Sequence, residues 1–218
     1  MRIFNCKSFD SRRDLLFASI VVIAIALYMA ISCSYFAGAV ESVKADVVRL
    51  HILANSNSEF DQKLKLKVRD ALLETNEEIV SQGVSAENAR EYFEESEDRL
   101  LSVARSVIKE NGADYDVDIT LGEEYFETRQ YGDMLFPSGE YTALKVIIGE
   151  GKGRNWWCVM FPPLCVGAAD EVIADKEKSA DYLTESGLKI VSGGRKYVVK
   201  FKLLELLEEI KHGGNTSD

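Results

Sequence analysis

Residues 139–165 read GEYTALKVIIGEGKGRNWWCVMFPPLC, and the reading of this stretch decides the fold. Two runs rich in β-branched and aromatic residues flank residues 149–155, where Gly149, Gly151 and Gly153 alternate with Glu150, Lys152 and Arg154. That pattern predicts two strands joined as a hairpin through a long, glycine-permissive loop at the centre of a sheet. Side chains alternate along a strand, so Leu144, Val146 and Ile148 share one face. The same alternation sends the adjacent Trp156 and Trp157 to opposite faces, one into a core and the other to a place that is harder to cover. Beyond them Cys158 and Cys165 bracket Pro162 and Pro163, so the chain leaves the sheet through a stiff turn with a thiol at each end.

Working outward, Val48, Leu50 and Ile52 alternate with Arg49, His51 and Leu53 between Asp46 and Ala54, which predicts a strand with one polar-tinged face. Residues 55–58 break it, and Ser58 with Asp61 three positions later signals a helix cap. Leu64, Val68, Ala71, Leu72, Thr75 and Ile79 recur at helical spacing as far as Gly83. Ser85 then opens a second helix, with Ala89, Tyr92, Phe93, Ser96, Leu100, Val103, Ala104 and Val107 inward and Asn111–Gly112 closing it. Tyr115, Val117, Ile119 and Leu121 alternate with Asp114, Asp116, Asp118 and Thr120, giving a half-buried strand with a wet, acidic face. Residues 123–140 predict one more short strand and a loop, and residues 166–196 a short helix or two and a linker. From Tyr197, the spacing of Val199, Leu203, Leu206, Leu207 and Ile210 predicts a closing helix, although Tyr197, Val199, Phe201 and Leu203 also fit strand alternation. The expected fold is α+β: a two-layer domain with a mainly antiparallel sheet packed against a helical hairpin and a C-terminal helix.

The N-terminal region has another character. Arg2, Lys7, Arg12 and Arg13 precede an uncharged apolar run from Leu15 to Ile31, and Ala37, Gly38 and Ala39 follow at the small-residue spacing that signal peptidase reads. Residues 1–39 are therefore expected to be an export signal, cleaved at Ala37–Ala39 or retained as an N-terminal anchor. Ala30 to Cys33 is also a weak match to a lipoprotein acylation site. Residues 40–212 are expected to form a single extracytoplasmic domain and residues 213–218 a disordered tail. Residues 1–39 hold four basic and two acidic side chains, so the exported part carries −12 against −10 for the whole chain. That charge argues against nucleic acid and against anionic lipid, leaving membrane contact to the N-terminal segment and favouring a protein partner. Cys6 and Cys33 fall in the signal. Cys158 and Cys165 remain, and an even count outside the cytoplasm favours a disulfide over two free thiols. Two cysteines without a second ligand pair do not make a closed zinc site, and no metal or cofactor is expected.

No set of residues reads as catalytic. His51 is the one histidine inside the expected domain, and a strand histidine beside Asn55 and Ser56 fits a capped turn. Its sharper reading is recognition, with His51, Asn55 and Ser56 exposed together at a strand end. The glycine loop lacks the Lys-then-Ser/Thr of a phosphate-binding loop and joins two strands. Glu123, Glu124, Glu127, Asp133 and Glu140 could supply an acid and base for cutting an envelope glycan, which is the enzyme alternative. Trp156 and Trp157 with Arg154 are the best partner-binding candidates, because Trp and Arg dominate interface energetics.

Together, residues 49–56 (RLHILANS), 65–70 (KLKVRD), 122–126 (GEEYF) and 139–165 resemble the stage II sporulation protein R family of endospore-forming bacteria. The resemblance covers residues 46–165. It implies a signalling protein without catalytic activity, made in the forespore and secreted into the space between the two membranes. There it would activate a membrane-embedded aspartic peptidase of the mother cell, which trims the precursor of sporulation sigma factor E.

Overall fold

The structure is a computed structural model and describes residues 11–81, 83–132, 134–164 and 182–193. The chain divides into two units, Met1–Gly38 and Ala39–Asp218. The first consists, over its described residues, of the N-terminal part of helix α1 (Ser11–Asp46). From Leu15 to Ile31 its large apolar side chains are exposed, and the helix is long and apolar enough to cross a membrane. It fits a signal sequence or a signal anchor. Ala37, Gly38 and Ala39 all lie within α1, where Ala37 is exposed and Ala39 buried. Cys33 is free and exposed on the same helix.

In the second unit, β1 (Val48–Leu53) leads into α2 (Glu59–Val80) and α3 (Ala89–Glu110). These are followed by β2 (Val117–Phe126), β3 (Arg129–Tyr131), β4 (Met134–Phe136), β5 (Gly139–Ile148), β6 (Asn155–Phe161) and α4 (Glu185–Ser192). This is an α+β architecture. Four strands form one sheet in the order β2-β5-β1-β6, and β3 and β4 form a separate two-stranded ribbon. β1 runs parallel to β5 and antiparallel to β6, while β2 and β5 are antiparallel, so the sheet is mixed and mainly antiparallel.

β5 and β6 do not form the expected hairpin. β1 lies between them, with Leu50 paired to Leu144 on one side and to Cys158 on the other. The loop after β5 therefore has to span two inter-strand spacings, about 10 Å, and wrap the exit of β1 on its way. Its glycines serve that wrap. Gly149 has φ 57, and a Cβ there would collide with the Asn55 side chain; a Cβ on Gly153 would collide with the Ser56 carbonyl. The Gly153 and Lys152 amides donate to the carbonyls of Ala54 (2.8 Å) and Asn55 (3.2 Å). The Glu150 amide donates to Asn55 Oδ1 (3.0 Å) and the Arg154 amide to Asn57 Oδ1 (2.9 Å). A glycine loop between two strands is a hairpin signal only when nothing else needs the space, and here β1 fills it.

One sheet face carries Leu50, Ile52, Leu144, Val146, Ile148, Ile119, Cys158 and Met160 against Leu64, Val68 and Leu72 of α2 and Phe93, Leu100 and Ala104 of α3. These are the helical-spacing positions seen in the sequence, and burying each large aliphatic side chain contributes about 1.5–3 kcal/mol. Ser58 Oγ accepts from the Asp61 amide (3.1 Å), the predicted cap. α3 begins at Ala89 rather than at Ser85: the Ser85 amide donates to Asn88 Oδ1 (2.7 Å) in a turn ahead of the helix. Gly112, with φ 75, follows its C-terminus.

The opposite face holds a second core. Val43 from the end of α1, Val47, Phe126, Tyr131, Met134, Phe136, Tyr141, Ala143, Val159, Leu164, Leu183 and Val191 cluster there. The polar-tinged face of β1 is thus covered over Arg49 by the β3-β4 ribbon, where the sequence suggested a single short strand. The predicted closing helix from Tyr197 and the tail at 213–218 lie outside the described residues.

Candidate functional site

Arg49 points into the second core and is fully buried. Its guanidinium lies 4.4 Å from the Phe126 ring centroid, 5.1 Å from Tyr141, 5.4 Å from Tyr131 and 5.7 Å from Phe136. Nη2 donates to Tyr131 Oη (3.0 Å), and no carboxylate among the described residues partners it. Burial pushes its pKa down, yet an arginine stays protonated, so the charge is held by the negative faces of four rings. Burial also raises the Tyr131 phenol pKa, against the effect of Arg49.

Two residues along on the same face, His51 is only 4% exposed. Its ring stacks on Trp157 with centroids 3.5 Å apart and 14° between planes. Nδ1 is 2.9 Å from each Glu124 oxygen, and because a carboxylate only accepts, Nδ1 carries the proton. Nε2 is out of solvent and has no hydrogen-bond partner among the described residues. Burial lowers the His51 pKa, and the Glu124 charge opposes this only in part, so the imidazole is neutral at pH 7. Lys145 Nζ donates to the same carboxylate (3.0 Å). A histidine held by a carboxylate has the form of a catalytic dyad. Here one ring face lies under an indole and the free nitrogen is covered, so the pair orients Trp157 rather than presenting a base to a substrate.

The six partner-binding candidates therefore separate. His51 and Trp157 come together, and Phe126 meets Trp157 edge-on at 4.9 Å. Asn55 and Ser56 do not join them, and the expectation that all three are exposed at one strand end is incorrect. Asn55 Nδ2 (3.0 Å) and Ser56 Oγ (2.5 Å) both donate to Asp61 Oδ2 at the start of α2. Burial alone would raise the Asp61 pKa, but hydrogen bonds from Ser56, Asn55, Tyr115 and Ser58 outweigh it and hold the pKa low. Trp156 points the other way, under the Arg69 guanidinium at 4.3 Å. Arg154 is exposed, and its carbonyl accepts from Lys65 Nζ (2.7 Å).

The described carboxylates of the enzyme alternative do not converge. Glu123 and Glu124 are adjacent on β2 and face opposite sides of the sheet. Glu123 binds Arg90 Nη1 (2.8 Å) and accepts from Thr142 Oγ1 (3.2 Å), while Glu124 holds His51 and Lys145. Glu127 and Glu140 are exposed, and Asp133 lies outside the described residues. No group of three or more potential metal ligands occurs among the described residues. Cys158 is buried in β6 and has no free thiol, while its expected partner Cys165 lies outside the described residues.

Arg49, Lys65 and Arg69 were not singled out as site residues by sequence reasoning, and Glu124 was named only among the carboxylates of the enzyme alternative, not as the partner of His51. The signal for Arg49 was its place beside His51 in the strand alternation, and for Lys65 and Arg69 their spacing of four on one flank of α2.

Residues 44–171, more than half of the chain, match the family described as stage II sporulation protein R. The chain belongs to that family. It is similar to the stage II sporulation protein R of Bacillus subtilis (strain 168), with 39% identity over 140 residues, which is 61% of this chain and 61% of that relative. The chain thus matches less than two thirds of the relative's length. No solved structure matches it. The matched stage II sporulation protein R region contains the whole four-stranded sheet, α2, α3 and the β3-β4 ribbon. Membership supports a role in sporulation.

Proposed function

We propose that this chain is an exported signalling ligand that activates a membrane-embedded aspartic peptidase, and that the peptidase then processes the precursor of sporulation sigma factor E in the mother cell. Membership of the stage II sporulation protein R family carries the reading. The apolar helix α1 supports export into the space between forespore and mother-cell membranes. The occupied state of His51, Glu123 and Glu124 supports binding over catalysis. A ligand shifts an enzyme toward its active state only by binding that state more tightly, so the chain needs a docking surface and no active site of its own.

Co-expression in a non-sporulating host of this chain, the peptidase and the sigma factor precursor tests the reading through the length of the precursor. The precursor should shorten only when the chain is present, and shortening should persist in the Glu123→Gln and Glu127→Gln variants. Shortening lost in both variants, with secretion unchanged, would favour the glycan-hydrolase alternative. Cys158 is proposed to bridge Cys165 and so fix the turn at Pro162 and Pro163, stabilising by about 2 kcal/mol for so short a loop. Thiol labelling of the exported protein should then find neither cysteine free until reductant is added. Labelling of Cys165 before reduction would contradict the bridge.

A further inference from the structure

We infer that Lys65, Arg154 and Trp156, with Arg69 behind them, form a socket for a carboxylate carried by the activated peptidase on its extracytoplasmic face. The identity of that partner rests on the signalling reading; the socket itself rests on the following observations.

The chain carries a net charge of −10, yet three cations converge where α2 meets the start of β6. Lys65 is only 4% exposed. Its ammonium donates to Gln62 Oε1 (2.8 Å) and to the Arg154 carbonyl (2.7 Å), both neutral acceptors. An ammonium has three donors, and no carboxylate pairs with this one among the described residues. Asp61, one helical turn earlier, is occupied by Asn55 and Ser56. Burial lowers the Lys65 pKa, and the nearby Arg154 and Arg69 charges lower it further.

Arg69 lies over Trp156 and has a carboxylate of its own, Asp70, at 2.6 Å. Trp156 Nε1 is buried and donates to nothing among the described residues. Arg154 is exposed, and its guanidinium has no partner among the described residues, while its backbone is fixed by Asn57 and Lys65. The cluster therefore offers unused donors and positive charge without a carboxylate on Lys65, and its exposed member is Arg154, whose planar fork matches a carboxylate. A buried cation without a counter-charge is costly, and an incoming aspartate or glutamate removes that cost only in the complex. This is the arrangement that makes a bound state preferred over the free one.

The precursor-processing assay with the full-length chain tests the socket. Arg154→Glu should reduce shortening at least about tenfold at unchanged secretion, and Arg154→Lys should restore part of it. Lys152→Glu makes the same change in net charge two residues away. Lys152 is exposed and paired to Glu150 (3.0 Å), so this variant should stay within about twofold of the unsubstituted chain. Equal losses from the two reversals would mean that only overall charge matters and would overturn the socket, as would full shortening with Arg154→Glu. No shortening by the unsubstituted chain would instead bring down the signalling reading, and with it the partner named here.

Discussion

His51 sits against an indole with a carboxylate at its protonated nitrogen, and that arrangement determines how the fold responds to pH. Its pKa is lowered from 6.5, with burial the largest cause. The unfolded chain therefore binds this proton more readily than the folded one, and stability rises with pH across the interval between the two pKa values. The contribution is complete above pH 6.5 and is lost as pH falls toward the lowered folded value. Thermal denaturation between pH 8 and pH 5.5 should show the midpoint falling over the acid half of that range, with a flatter profile for His51→Gln. An equal slope in the variant would show that other groups carry the effect. The sequence offered His51 both as a structural residue beside the turn and as a partner-binding residue exposed with Asn55 and Ser56; here it is buried, and neither reading named its partners. Glu124 is 73 positions away and Trp157 was one of two indistinguishable indoles. Arg49 was less legible still, since a cation in strand alternation ordinarily marks a wet face and only the β3-β4 ribbon reverses that.

The sheet elements were legible by periodicity and their order was not. Leu144, Val146 and Ile148 share a face as alternation requires, and the apolar stripes of α2 and α3 match their sequence spacing. Register and neighbour choice depend on contacts distant in sequence, and β1 entered between β5 and β6 although the loop composition spoke for a hairpin. Residues 149–155 serve two purposes, a long crossing and the fastening of residues 54–57, and the glycines satisfy both. Gly153→Ala should destabilise the domain by about 1–3 kcal/mol in denaturant titration, because the new Cβ meets the rigid Ser56 backbone. Gly122→Ala is the control. A Cβ there meets nothing within 4 Å, and the change should stay within about 0.5 kcal/mol. Equal effects from both would mean that the glycine loop does not clamp the exit of β1.

As a whole, the molecule combines an exposed apolar helix at its N-terminus with an acidic domain whose sheet is covered on both faces. Composition made the N-terminal segment legible: an apolar run behind basic residues reads as a signal sequence or anchor, which α1 fits, and the proposal of an extracytoplasmic binding protein builds on it. The proposed partner came only through resemblance, because docking selectivity resides in a few side chains, as proposed for Arg154, and not in any periodic pattern. The proposed ligand would have to act from outside the cytoplasm. The decisive measurement is the length of the sigma factor precursor when the peptidase is co-expressed with the chain either exported or held inside by Ile23→Arg with Leu27→Arg, which interrupt the apolar run. Shortening with the exported chain and none with the retained chain, at equal amounts of folded protein, is the predicted result. Equal shortening in both cases would contradict an extracytoplasmic signal.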